Sequence, residues 1–99
     1  MNNSVKHAEK IERFCNSICI ILKLPFIFRI DRFHSAIGDY SKVEIVIPKR
    51  IFKDNVIGSF TIDAYGNRYY GTTHSPFYKY YSRIVEILYL YDFMTKGDK

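Results

Sequence analysis

Cys15 and Cys19, four residues apart with His7 eight residues before Cys15, are the nearest this chain comes to a metal-ligand spacing. A zinc site takes four protein ligands, or three and a water. No second cysteine pair follows, and the other histidines, His34 and His74, fall in stretches without helical or strand period. The pair is therefore read as two small hydrophobes on one helix face, with no metal and no cofactor. An i, i+4 spacing lays the thiols along one stripe rather than opposite each other, so no disulfide is expected and the chain reads as intracellular.

Other reactive types are present without the pattern their chemistry needs. His34 with Ser35 and Asp39, and His74 with Ser75, pair a base with a hydroxyl. Hydrolase triads are set by geometry, however, and no Gly-x-Ser-x-Gly elbow occurs. Ser75 before Pro76 already has a role as a helix cap. Gly38, Gly58, Gly66, Gly71 and Gly97 form neither a phosphate-binding loop nor a dinucleotide fingerprint. No His-x-His pairing stands beside the tyrosines to support a tyrosine nucleophile. No catalytic residue is assigned, and a non-enzymatic binding module is expected. A small ribonuclease is kept as a third reading, requiring at least two of His34, Asp39, Arg50, Arg68 and His74 to converge in space.

Binding chemistry is better represented. Eight of the nine tyrosines lie between Tyr65 and Tyr91, and tyrosine offers a large apolar body with a polar tip. The segment from 25 to 53 carries the largest share of a net charge of +5. Arg29, Arg32, Lys42, Lys49, Arg50 and Lys53, with Arg68 beside Tyr65, Tyr69 and Tyr70, make a candidate surface for nucleic acid, phosphates on the basic groups and bases on the rings. The competing explanation is a solvated edge, since lysine and proline near strand ends also discourage aggregation. The alternative function is a protein–protein adaptor or homodimer working through Tyr78, Val85, Tyr89 and Leu90 on the C-terminal helix, together with Ile27, Phe33, Val46 and Ile57 on the outer sheet face.

These groups must be positioned by six elements. Ser4 is read as the cap of a helix from Val5 to about Lys23, whose face of Ala8, Ile11, Phe14, Cys15, Ile18, Cys19, Ile21 and Leu22 is apolar and which Pro25 ends. From Phe26 the period becomes two, with Phe26, Phe28 and Ile30 alternating with Ile27, Arg29 and Asp31. Val43, Ile45 and Ile47 form a second strand and residues 56–63 a third, with Val56, Gly58, Phe60 and Ile62 on one face. Ala64-Tyr65-Gly66-Asn67 is a hairpin signal, and residues 68–73 return as a fourth strand. A last helix starts at Ser75-Pro76 and runs to about Met94, with Phe77, Tyr80, Tyr81, Ile84, Ile87, Leu88 and Tyr91 toward the sheet. The expectation is one α+β domain over residues 1–99: a four-stranded antiparallel sheet in the order α-β-β-β-β-α, both helices on one face.

Ninety-nine residues with 47% hydrophobic and 17% aromatic content exclude disorder and allow one core. The run from Ile18 to Phe28 is interrupted by Lys23 and Pro25, too short to span a bilayer, and no secretory signal is read, so a soluble chain is expected. Fourteen isoleucines, three alanines and no glutamine suit AT-rich codons and a hot environment. In length and composition the chain resembles small orphan proteins of archaeal filamentous viruses from hot acidic springs. That resemblance implies a thermostable viral protein in the host cytoplasm and carries no functional residues with it.

Overall fold

The structure, a computed structural model, describes residues 3–31, 38–49, 54–70 and 75–95, with the side chains of the last helix described from Lys79 onward. The elements are α1 (Asn3–Ile21), β1 (Ile27–Ile30), β2 (Ser41–Ile47), β3 (Asn55–Ile62), β4 (Arg68–Tyr70) and α2 (Ser75–Thr95). The strands form one antiparallel sheet in chain order, β1-β2-β3-β4. This is the α-β-β-β-β-α arrangement that the change of hydrophobic period predicts. Residues 71–73, read as the end of the fourth strand, lie outside the described residues.

One face of the sheet is apolar, and both helices bury it. Phe28, Ile30, Val43, Ile45, Phe60 and Ile62 alternate inward to meet Ala8, Ile11, Cys15 and Cys19 of α1 and Ile84, Ile87, Leu88 and Tyr91 of α2. Aromatic rings run through this core: Tyr80 meets Phe26 at 5.3 Å, Phe26 meets Phe28 at 6.3 Å, and Phe28 meets Phe60 at 6.5 Å. Phe60 in turn contacts Tyr70 at 5.8 Å. Edge-to-face and tilted ring pairs of this kind add to the burial of their large apolar areas.

The third strand departs from strict alternation. The β2–β3 register slips between Ile45 and Val46, so that Ile57 and Gly58 together oppose Ile45. This bulge turns Ile57 into the core beside Gly58, which has no side chain to offer there. Ile57 was expected on the outer face, which holds only if the period of two is unbroken. Val46 does lie outside the core cluster, yet it is fully buried rather than exposed. Of the residues expected there, Ile27 is half-buried and Phe33 lies outside the described residues, while the bulge brings half-buried Val56, expected on the inner face, opposite Val46.

The helix ends also differ from expectation. Ser4 is not the cap of α1; its backbone and hydroxyl both donate to Asp39, at 3.1 and 2.7 Å, and the Asn3 N–H donates to the other Asp39 oxygen at 2.8 Å. A carboxylate from across the fold satisfies the orphan donors and meets the positive end of the helix dipole. At the other end, Leu24 N–H bonds to Cys19 C=O and Lys23 N–H to Ile20 C=O, with Lys23 at a φ of 55°. This is a Schellman ending with lysine in the place glycine prefers, and it stops the helix before Pro25 is reached. Ile21 and Leu22, expected on the buried face, are consequently exposed.

The two edges of the sheet are treated differently. In β1 the outward-pointing backbone groups belong to Phe28 and Ile30, and α1 answers them with side chains. Asn16 donates to Phe28 C=O at 2.8 Å and accepts from Phe28 N–H at 2.7 Å, and Glu12 accepts from Ile30 N–H at 2.9 Å. The helix thereby closes an edge that would otherwise accept another strand. Asn16→Ala leaves the Phe28 N–H and C=O without partners, and a loss of about 1–3 kcal/mol is expected in urea unfolding.

Candidate protein-binding groove

β4 is joined to β3 by a hairpin organised around one carboxylate. Asp63 accepts from the backbone of Tyr65 and Asn67, both at 2.9 Å, from the Asn67 amide at 3.0 Å and from the Tyr69 hydroxyl at 3.1 Å. Desolvation pushes its pKa up, but the four hydrogen bonds outweigh this and hold it below the usual carboxylate range. Gly66 sits at a φ of 87°, and a Cβ there would come within 3.1 Å of His7 Nδ1. Glycine is required at this position both by the turn and by the approach of α1. His7 is thus placed against the hairpin, and among the described residues no group of three or more His, Cys, Asp or Glu is arranged to hold a metal. Burial pushes the Cys15 thiol up to about 12 and Cys19 up to about 11, so both are protonated and inert near neutrality.

The hairpin tyrosines are divided between the two faces of the sheet. Arg68 and Tyr70 pair with Ile62 and Phe60 and so lie on the helix side of the sheet, whereas Tyr69 pairs with Thr61 on the outer side. Tyr65 stands at the turn, 86% exposed. The basic residues are divided as well. Arg29 contacts Asp54 at 2.9 Å and Glu44 at 3.5 Å. Arg68 makes a two-point ion pair with Asp92 of α2, at 2.8 and 2.7 Å. Lys42 and Lys49 make no ion pair among the described residues. Arg32, Arg50 and Lys53 lie outside them, as do His34 and His74. Of the nuclease candidates, Asp39 is engaged with the start of α1 and Arg68 with Asp92.

What the fold does assemble is a groove of about 520 Å³ between β3–β4 and α2. Its floor is Ile45 and Phe60; its walls are Arg68 and Tyr70 on the strand side and Tyr81, Ile84, Val85, Leu88, Tyr89 and Asp92 on the helix side. Positions 81, 85 and 89 of α2 follow one another at one-turn spacing along its length. Tyr81 was expected to pack on the sheet but is half exposed at this rim, because α2 lies over β3 and stops short of β4. Tyr89 is 72% exposed, and Val85, Tyr70 and Leu90 also reach solvent. Leu90 is on the helix but outside the groove, and the side chain of Tyr78 lies outside the described residues. The two surfaces that compete in the sequence therefore share one site, with Arg68 and Tyr70 from one and Val85 and Tyr89 from the other. Asp92 and Tyr81 belong to it as well; the i, i+4 series from Tyr81 through Val85 to Tyr89 is the signal that could have found it.

The Arg68–Asp92 pair is a polar clamp that joins the strand wall of this groove to its helix wall. The Arg68 side chain is only 15% exposed against 52% for Asp92, and the hydrogen bonds to Asp92 hold the guanidinium's pKa above its ordinary value. Asp92→Ala leaves a largely buried cation without its carboxylate, with only the Tyr70 hydroxyl, among the described residues, still accepting from Nε at 3.2 Å, and a loss of about 1–2 kcal/mol is expected by thermal or urea unfolding, less than for a fully buried pair because Asp92 is half in water.

Asp39 supplies a second measurable effect. The Ser4 hydroxyl first, then the backbone N–H groups of Ser4 and Asn3, hold its pKa below the ordinary 3.8. A depressed carboxylate stabilises the folded chain above the unfolded pKa and loses that contribution as pH falls through the folded value. The difference in melting temperature between the wild type and Asp39→Ala should therefore be full near neutrality and shrink below about pH 4.

No family model, curated protein or solved structure matches the chain.

Proposed function

We propose that this protein is a small non-enzymatic binding module that takes a protein segment on the face formed by β4 and α2. The observation that carries the reading is the groove itself: exposed Tyr70, Val85 and Tyr89 surround an apolar floor, and the one cation among the described residues that line it, Arg68, is already neutralised by Asp92. Aromatic residues around a desolvated centre with few free charges are the composition of protein-recognition surfaces. Affinity there comes from apolar burial and depends little on salt.

A second reading, single-stranded nucleic acid on the opposite face, has one observation in its favour. Lys42, Thr61 and Tyr69 form a row across β2, β3 and β4, placing a cation with no ion pair among the described residues and an exposed ring on the same surface. Such binding falls steeply with salt.

Random-peptide display against the immobilised chain separates the two. The expected outcome is enrichment of peptides with apolar residues at alternate positions, bound equally at low and high salt. Val85→Asp with Tyr89→Asp should weaken them at least tenfold, about 1.4 kcal/mol. Both positions are exposed, so the double variant is expected to fold. No enrichment, together with oligonucleotide binding that is salt-sensitive and indifferent to the double variant, would replace this reading by the second.

A further inference from the structure

The groove lies beside a strand edge, and that edge has a particular symmetry. Asp63 N–H bonds to Asn67 C=O, and the ladder alternates from there, so Tyr69 directs its backbone toward Thr61 of β3. Arg68 and Tyr70 then direct their N–H and C=O groups outward. Among the described residues nothing answers them, in contrast to Phe28 and Ile30, which α1 side chains satisfy. Apart from its shortness, three residues, β4 lacks the devices that usually guard an edge. It contains no proline, lysine or bulge, and its single charge is held by Asp92 on the helix side.

We infer that a second copy of this chain docks on the β4 edge, antiparallel and with the two-fold axis at Tyr69. The two outward-facing residues flank Tyr69 symmetrically, so β4 is its own complement. Arg68 of each copy stands opposite Tyr70 of the other in a hydrogen-bonded pair, each pair exchanging both N–H···O bonds. No like charges meet, because Tyr69 faces itself and both arginines are already neutralised within their own copies. The axis is perpendicular to the sheet, so the sheet continues across it and both α2 helices stay on one face. The exposed rims at Tyr70 and Tyr89 of the two copies are then turned toward one another across the joined strands, which gives an apolar lining to what is otherwise a short pairing.

This assignment rests on the protein-binding reading of the same face but goes further, since it names the occupant and the register. In that register Tyr69 and its symmetry mate form a non-hydrogen-bonded pair with Cα atoms about 4.5 Å apart. That separation falls inside the range of about 4.4–6.8 Å that a disulfide spans.

The test is Tyr69→Cys in the full chain under mild oxidation, with Tyr65→Cys as the control at a turn position that is more exposed still, 86% against 56%. Cys15 and Cys19 are buried and protonated, so they do not compete. The expected result is a reducible covalent dimer from Tyr69→Cys and none from Tyr65→Cys. Sedimentation of the unmodified chain should move toward twice the monomer mass as concentration rises. Tyr69→Lys, with its fold checked by circular dichroism, should remain monomeric because it sets two cations face to face. A wild-type chain monomeric at every concentration, or equal crosslinking at positions 65 and 69, overturns the two-fold dimer. If displayed peptides still bind the β4–α2 face in that case, only the dimer is lost; if they do not, the protein-binding reading is lost with it.

Discussion

The hydrogen bonds from Asn16 and Glu12 to the backbone of β1 set the layout of the whole molecule. A four-stranded sheet is roughly 15–20 Å wide, and two helices packed about 8–10 Å apart cover it only when centred on it. For its side chains to reach the outer backbone groups of β1, α1 must sit over β1 and β2, toward that edge. Helix α2 then packs against α1 and β3, and β4 is left with no helix above it. Closing one edge by α1 therefore leaves the other without either helix packed on it, and the groove follows from that displacement.

The same offset explains why aromatic residues at similar positions have different fates. The rings of Phe26, Phe28 and Phe60 lie where both helices press on the sheet and are fully buried. Tyr70 continues that line of rings, in contact with Phe60, but emerges where α2 ends its coverage. Tyr91 packs edge-to-face on Phe14 of α1 at 5.5 Å, whereas Tyr89 faces away from α1 and stays in water. Polar contacts reinforce the arrangement at three points. Asp39 secures the start of α1, Asp63 the β3–β4 hairpin, and Arg68–Asp92 ties β4 to α2 across the gap that packing does not fill. Among the described residues no buried side-chain nitrogen or oxygen lacks a hydrogen-bond partner. No helix of the described chain is long and apolar enough to cross a membrane.

Local periodicity was enough to determine the six elements, their order, the inward faces of β1 and β2 and of α1 as far as Cys19, and the glycine turn at Gly66, because each depends on neighbours within a few residues. The resting places of Tyr80, Tyr91, Ile84 and Leu88 were legible for the same reason. Departures began wherever a distant group intervened. The bulge that carries Ile57 into the core depends on β3 meeting β2 at Ile45, the cap of α1 depends on Asp39 arriving from another loop, and the neutralisation of Arg29 and Arg68 depends on Asp54 and Asp92 lying beside them in space. Composition showed many tyrosines and many cations but not which faced one another. The candidate site was half visible: the sequence supplied Arg68, Tyr70, Val85 and Tyr89 as members of separate surfaces. Only the tertiary structure joined them, because the position of α2 over the sheet is decided by how α1 closes the opposite edge, and no local pattern encodes that distance.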